Sequence, residues 1–141
     1  MTADEALARI AEQQIPETRT AYIWCALGEL LLFDYVVRAR GYKVLAKWVG
    51  ERRPVEPAPN VQAEWVAAVD LACVWYWKSP ACLQRSTVLA RLLRRAGIAA
   101  EVVIGVQQFP FKSHAWVEVD RIPANERRRV GEAYMQIDRW N

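Results

Sequence analysis

The sequence predicts an α+β domain, and three observations carry that prediction. Apolar residues recur at three- and four-residue spacing up to Gly97, the period then changes to strand alternation, and a turn at Asp120-Arg121 folds the alternating segment back. With 141 residues, 53% of them hydrophobic and 25% charged, the chain is long and apolar enough for one core. We read 1–141 as a single domain, with a helical N-terminal half over 1–60 and a second half over 61–141 that holds the chemistry.

Each element has its own signal. Residues from Asp4 to Gln14 are helical in period through Ala6, Ile10 and Ala11, and Pro16 ends the segment. A longer core helix runs from Thr18 to Arg38. Its inner residues are Tyr22, Cys25, Ala26, Glu29, Leu30, Phe33 and Val37, and Leu31, Leu32, Tyr35 and Val36 make it apolar almost all round, as in a central or interface helix. Gly41 breaks it, and Tyr42 to Val49 forms a short amphipathic turn or two. Pro54, Pro57 and Pro59 punctuate a connector over Arg52 to Asn60 that fits neither helix nor inner strand. Val61 to Trp77 is the next helix, with Trp65, Ala68, Val69, Ala72, Cys73 and Tyr76 inward; core packing accounts for the chain's seven tryptophans.

The segment from Ser79 to Gly97 carries complete helix punctuation. Ser79 suits the N-cap, Pro80 the first helical position and Gly97 the left-handed stop. Cys82, Ser86, Leu89 and Leu93 share one stripe, so the buried face opens with a thiol in the first turn. Ile98 to Val106 is then a strand, Phe109 to Lys112 a loop, and Ser113 to Val119 a second strand. The second strand puts His114, Trp116 and Glu118 on one face and Ala115, Val117 and Val119 on the other. Ile122 to Glu126 returns as a third, short strand, at an edge because Pro123 lacks an N–H. In the tail, Val130, Ala133, Tyr134, Ile137 and Trp140 repeat at helical spacing.

Composition removes several classes of function. Nineteen Lys and Arg against sixteen Asp and Glu leave +3, too mild for a nucleic-acid protein. The clusters Arg91, Arg94, Arg95 and Arg127, Arg128, Arg129 read as solvated helix faces. The most apolar run, Ala21 to Val37, carries Glu29 and Asp34, so no membrane span is expected. The N-terminus has neither a basic region nor a cleavage pattern, and a cytoplasmic protein is expected. Three cysteines without a CxxC pair, and a single histidine, argue against a disulfide framework and a structural zinc site; no metal and no cofactor is expected.

What remains is one imidazole and three thiols. A cysteine in a helix's first turn meets unpaired N–H groups and the positive end of the dipole, both of which favour the thiolate. Cys82 alone has that place, whereas Cys25 and Cys73 read as inert core residues. A lone histidine on a half-buried strand is commonly structural. Here His114 follows the helix-borne thiol by one strand, which puts the two on facing elements of a helix-on-sheet layer, as a Cys–His dyad requires. A third group would hold the imidazole tautomer. Asp120 shares the His114 face but lies six residues on, roughly 20 Å along a strand. Pairing counted out from the turn sets His114 and Ala115 opposite Arg127 and Glu126. Glu126 is therefore the best-placed carboxylate, with Asn125 second as an amide orienter.

The run CLQRSTVLARLLRRAGIAAEVVIGV from Cys82, followed by HAWVEVD and then NE, resembles the transglutaminase-like cysteine peptidases of lasso peptide biosynthesis. In that family a helix opening CL-x-R-[SA] leads through LLRR-x-G to a VIGV-type strand and then an HAWVEV strand. The likeness is strongest over residues 70 to 130, and LLLFDYVVRARGYKVLAKWVGERRP is similar to the family's helical first half. Two departures stand out: Asp120-Arg121 where the family often has Asp-Gly, and Glu126 where it often has Asp.

The resemblance implies a transglutaminase-like, papain-like core in which a catalytic helix packs on a short antiparallel sheet. It implies a peptidase that removes the leader from a ribosomally made lasso precursor, so that a separate cyclase can close the macrolactam. A small leader-recognition protein encoded separately is the implied partner, with the cyclase as a further contact. Carried onto this chain, Cys82 attacks the scissile carbonyl, His114 moves the proton and Glu126 orients the imidazole. The Cys82 N–H is half of an oxyanion hole, and Tyr76 or Trp77 is a candidate for the other half. Two other readings are kept: transglutaminase-type acyl transfer to an amine, and a non-catalytic leader-binding module. The joint presence of Cys82 and His114 argues against the latter.

Overall fold

The computed structural model describes residues 17–126 and 129–141, together with position 3. The helix expected over Asp4 to Gln14 lies outside the described residues, as do Arg127 and Arg128. Helix α1 spans Glu17–Arg40. A 3-10 turn at Tyr42–Val44 leads into the short α2, Leu45–Trp48. Helix α3 is Val61–Trp75 and α4 is Cys82–Arg95. Strands β1 (Ala100–Gln107), β2 (Lys112–Val119) and β3 (Ile122–Pro123) follow, then a four-residue α5 (Val130–Ala133) and β4 (Met135–Trp140). The sheet is antiparallel in the order β3-β2-β1-β4. Among the described residues this is an α+β domain with a helical N-terminal part.

The main core lies between α1, α3, α4 and one face of the sheet, around Leu30, Val69, Leu89, Leu93, Val102 and Val117. Burying side chains of this size stabilises by about 1.5–3 kcal/mol each. Polar contacts set the helices' relative places. The buried Glu29 carboxylate of α1 accepts from Arg91 Nε at 2.9 Å and Arg95 Nη1 at 2.8 Å on α4. The Leu30 carbonyl accepts from Gln84 Nε2 at 3.1 Å. At the other end of α4, the buried Arg94 donates to Ala100 O and Trp140 O, both at 2.8 Å, and so pins the helix end to the sheet. Gly97 ends α4 at φ 92°, and a Cβ there would lie 2.2 Å from the Val55 carbonyl oxygen. No other residue fits that turn.

Several expectations are corrected. The tail is helical only over Val130–Ala133; Met135–Trp140 is a fourth strand, paired with β1 from Val102↔Trp140 to Val106↔Met135. Without it β1 would have an open edge of unpaired backbone groups, and that demand overrides the tail's three-and-four spacing. Helix α4 begins at Cys82 with Ala81 as its N-cap, two residues later than Ser79 and Pro80 imply. The connecting chain is extended at both Tyr76 and Ala81, and α4 has no side-chain cap. β3 stops at Pro123, although its place at the sheet edge is as expected.

Cys25 is exposed, not inward. Only Trp65 and Trp116 of the seven tryptophans are buried, while Trp24, Trp75 and Trp77 are 70–75% exposed. Thr20–Arg40 is also long and apolar enough, by length and composition, to cross a membrane. In this fold, however, Glu29, Leu30 and Phe33 are buried in the core.

Candidate active site

The start of α4 and one end of β2 come together because the two elements run the same way. Ser86, fully buried, donates from Oγ to the Ala115 carbonyl at 3.0 Å. Eight residues on, Arg94 bonds to Ala100, whose strand partner is Val119. Toward the beginning of both elements, Cys82 is one helical turn before Ser86, and His114 is one residue before Ala115. Those steps are about 6 Å and 3.3 Å in the same direction. Thiol and imidazole therefore belong to the same end of the layer.

Cys82 is half-buried and is the first helical residue. The Arg85 N–H makes the first turn's bond, to Ala81 O at 3.0 Å, so the N–H groups of Cys82, Leu83 and Gln84 have no helical carbonyl to meet. Their partial positive charge is aimed at the thiol's surroundings. The other two thiols are held in the protonated direction. Partial desolvation of the sulfur, on a residue otherwise exposed, and then Glu29 push Cys25 up, and burial pushes Cys73 up with Asp70 adding to it.

His114 shares its sheet face with Trp116, as alternation requires, whereas Val102 and Val117 on the other face pack under α4. The link between imidazole and helix runs round the β2 edge, where β3's pairing ends at Glu118 and Ala124 and Asn125 bond to Val117. Glu126 makes that link. Its Oε1 lies 2.6 Å from His114 Nε2 and 3.2 Å from Arg85 Nη2. A carboxylate only accepts, so Nε2 is the donor and Nδ1 keeps a free lone pair.

The imidazole rests against two rings. Trp116 and Tyr134 have centroids 5.9 and 5.4 Å from that of His114. Gly105 faces His114 across β1 and β2. A Cβ at Gly105 would lie 2.8 Å from Tyr134 Cβ and 2.9 Å from Trp116 Cη2, so the ring floor needs glycine there. Beside the start of α4, a cleft of about 530 Å³ is lined by Asp70, Cys73, Trp77, Pro80 and Arg85. Neither Cys82 nor His114 lines it. Among the described residues no cluster of three or more His, Cys, Asp or Glu could hold a metal ion.

A family model described as the Transglutaminase-like superfamily matches residues 29–139. The chain belongs to the transglutaminase-like superfamily. That superfamily includes cysteine peptidases and acyltransferases, and its fold is commonly that of a cysteine-dependent enzyme. No curated protein and no solved structure matches the chain. The match takes in Cys82, His114, Glu126 and every strand of this transglutaminase-like domain up to Arg139.

The remaining candidates are placed as follows in the transglutaminase-like domain. Asp120 is exposed in the left-handed turn at the far end of β2, away from His114. Asn125 is engaged elsewhere: its Oδ1 accepts from Val117 N–H at 2.9 Å and its Nδ2 donates to Ser86 Oγ at 3.4 Å. The Tyr76 hydroxyl is engaged with Asp34 Oδ2 and the Leu30 carbonyl, and Trp77 is exposed. Neither has a free donor held in place for an oxyanion. Arg85, Gly105 and Tyr134 are the neighbours that residue patterns did not single out. Arg85 stands out in the sequence only as the fourth letter of the CLQR run, and Tyr134 falls within the tail's helical spacing.

Proposed function

We propose that this transglutaminase-like domain is a cysteine peptidase that cuts the leader from a lasso precursor peptide before macrolactam closure. The observation that carries a catalytic reading is the 2.6 Å contact between Glu126 Oε1 and His114 Nε2 at the end of the layer where α4 begins with Cys82. The likeness of the CLQRS and HAWVEV runs to the leader peptidases supports the choice of substrate.

In this mechanism Cys82 Sγ attacks the scissile carbonyl carbon while His114 Nδ1 takes the thiol proton. The oxyanion is met by the Cys82 N–H. His114 then protonates the departing amine as the C–N bond breaks and leaves an acyl-enzyme. Water, deprotonated by His114, attacks the thioester; the acid leaves and the thiol regains its proton. Glu126 accepts from Nε2–H throughout, holding one tautomer and offsetting the imidazolium charge.

The substrate partner is the leader region of the precursor, presented by a separate recognition protein, with the cyclase as the next acceptor. Trp24, Leu31 and Tyr35, spaced seven and four residues apart on α1 and 57–70% exposed, supply an apolar stripe for the recognition protein.

The test is incubation of a leader-bearing precursor with enzyme and recognition protein, with products mapped by mass spectrometry. A single cut at the leader–core boundary, unchanged by added primary amines, is expected. An amine-adducted product would instead identify an acyltransferase, and no product with an intact, folded enzyme would contradict both.

A further inference from the structure

We propose that Arg85 is a positioning residue for the Cys82–His114 pair, acting by sharing the Glu126 oxygen that holds His114; this rests on the cysteine-dependent reading above. Glu126 Oε1 faces two donors at once, His114 Nε2 at 2.6 Å and Arg85 Nη2 at 3.2 Å. Arg85 follows Cys82 by three residues on α4, which makes it the thiol's neighbour on that side of the helix. One cation is therefore set between the orienting carboxylate and the nucleophile's turn.

The arrangement is more than a surface ion pair. The side chains of Arg85, Glu126 and His114 are only 20–30% exposed, so solvent screens them less than surface charges. Among the described residues Glu126 is Arg85's hydrogen-bond partner, and the buried Arg85 Nε has none. The guanidinium is held by Glu126, and in return it limits where Oε1 can go. Arg85 and Glu126 face Asp70 and Cys73 from α3 and His114 on β2; Tyr134, ahead of β4, lies against His114, and Cys82 is three residues before Arg85 on α4. Arg85 is the cation among them that touches Glu126.

Two consequences follow from charge. A carboxylate with no cation beside it would stabilise the imidazolium more strongly, and His114 would release its proton to the leaving amine less readily. A cation near Cys82 favours the thiolate. Both effects are read in the pH dependence of Cys82 alkylation. Arg85 itself transfers no proton; the proton passes from Cys82 Sγ to His114 Nδ1 and on to the leaving nitrogen.

The experiment measures the rate of Cys82 alkylation by iodoacetamide against pH, resolved by peptide mass spectrometry, for the parent, Arg85→Lys, Arg85→Met, Arg85→Gln and His114→Ala. It needs no peptide substrate. The expected result is that Arg85→Met and Arg85→Gln shift both limbs alkaline by about half a unit or more, while Arg85→Lys stays near the parent. Arg85→Gln keeps a donor without the charge and serves if Arg85→Met does not fold. Unshifted limbs in the neutral variants, or an equal shift in Arg85→Lys, would overturn the role given to Arg85 and leave the dyad standing. A His114→Ala profile identical to the parent would overturn the dyad reading, and the Arg85 proposal with it.

Discussion

Glu126 reaches His114 Nε2 at 2.6 Å although the strand that should carry it ends three residues earlier, at Pro123. The register from the Asp120-Arg121 turn persists one residue beyond the strand, through Ala124 N–H to Val117 O at 2.8 Å. Asn125 then takes over. Its side chain accepts the Val117 N–H and donates to Ser86, so an amide replaces the strand and ties the segment to α4. Glu126 leaves that tie pointing at the imidazole.

The first prediction concerns the orienting group. Glu126→Gln should lower single-turnover cleavage clearly, though less than His114→Ala, because an amide still accepts the imidazole N–H but carries no charge. Asp120→Asn should be nearly silent. Circular dichroism checks that all three variants fold. A silent Glu126→Gln with a crippled Asp120→Asn would reverse the assignment.

Asn125 should act on geometry rather than chemistry. Asn125→Ala leaves the Val117 N–H and the buried Ser86 hydroxyl short of a partner, a loss of about 1–3 kcal/mol. It also frees the segment bearing Glu126. Urea unfolding should therefore show a lower midpoint, and turnover of the folded fraction should fall as well. Full turnover in a destabilised Asn125→Ala protein would mean that Glu126 finds His114 without the amide.

Gly105→Ala tests the ring floor. Its new Cβ would press on Tyr134 and Trp116, and overpacking of this kind costs about 1–3 kcal/mol. Because those rings lie against His114, cleavage should drop together with the unfolding midpoint. An unchanged midpoint and rate would show that the floor repacks freely.

Much of the layout was legible because local period and final environment agree. α4 and the two long strands have strong periodicity, and Pro123 announces an edge. Counting residues across one turn brings Glu126 to the His114 end of β2, but the contact itself depends on the chain leaving the strand after Ala124, where Asn125 takes over. The fourth strand is hidden in the sequence because Val130, Ala133, Tyr134, Ile137 and Trp140 satisfy helical spacing, while the partner that makes Met135–Trp140 a strand is β1, from Val106↔Met135 to Val102↔Trp140, far earlier in the chain. Cys25 departs from its expected inward place for a related reason: α1 is apolar on more sides than α3 and α4 cover, so hydrophobicity alone does not tell which side is in. Arg85 and Tyr134 acquire their places only once β2, α4 and the tail meet.

The central claim, that Cys82 is the nucleophile, is tested most directly by single-turnover cleavage of a leader-bearing precursor, with recognition protein present, by Cys82→Ala, Cys25→Ala and Cys73→Ala. Cys82 opens a helix, whereas Cys25 is exposed on the side of α1 and Cys73 lies within α3. The account predicts no cleavage by a folded Cys82→Ala protein and cleavage by the other two. Cleavage at the parental rate by folded Cys82→Ala would contradict it.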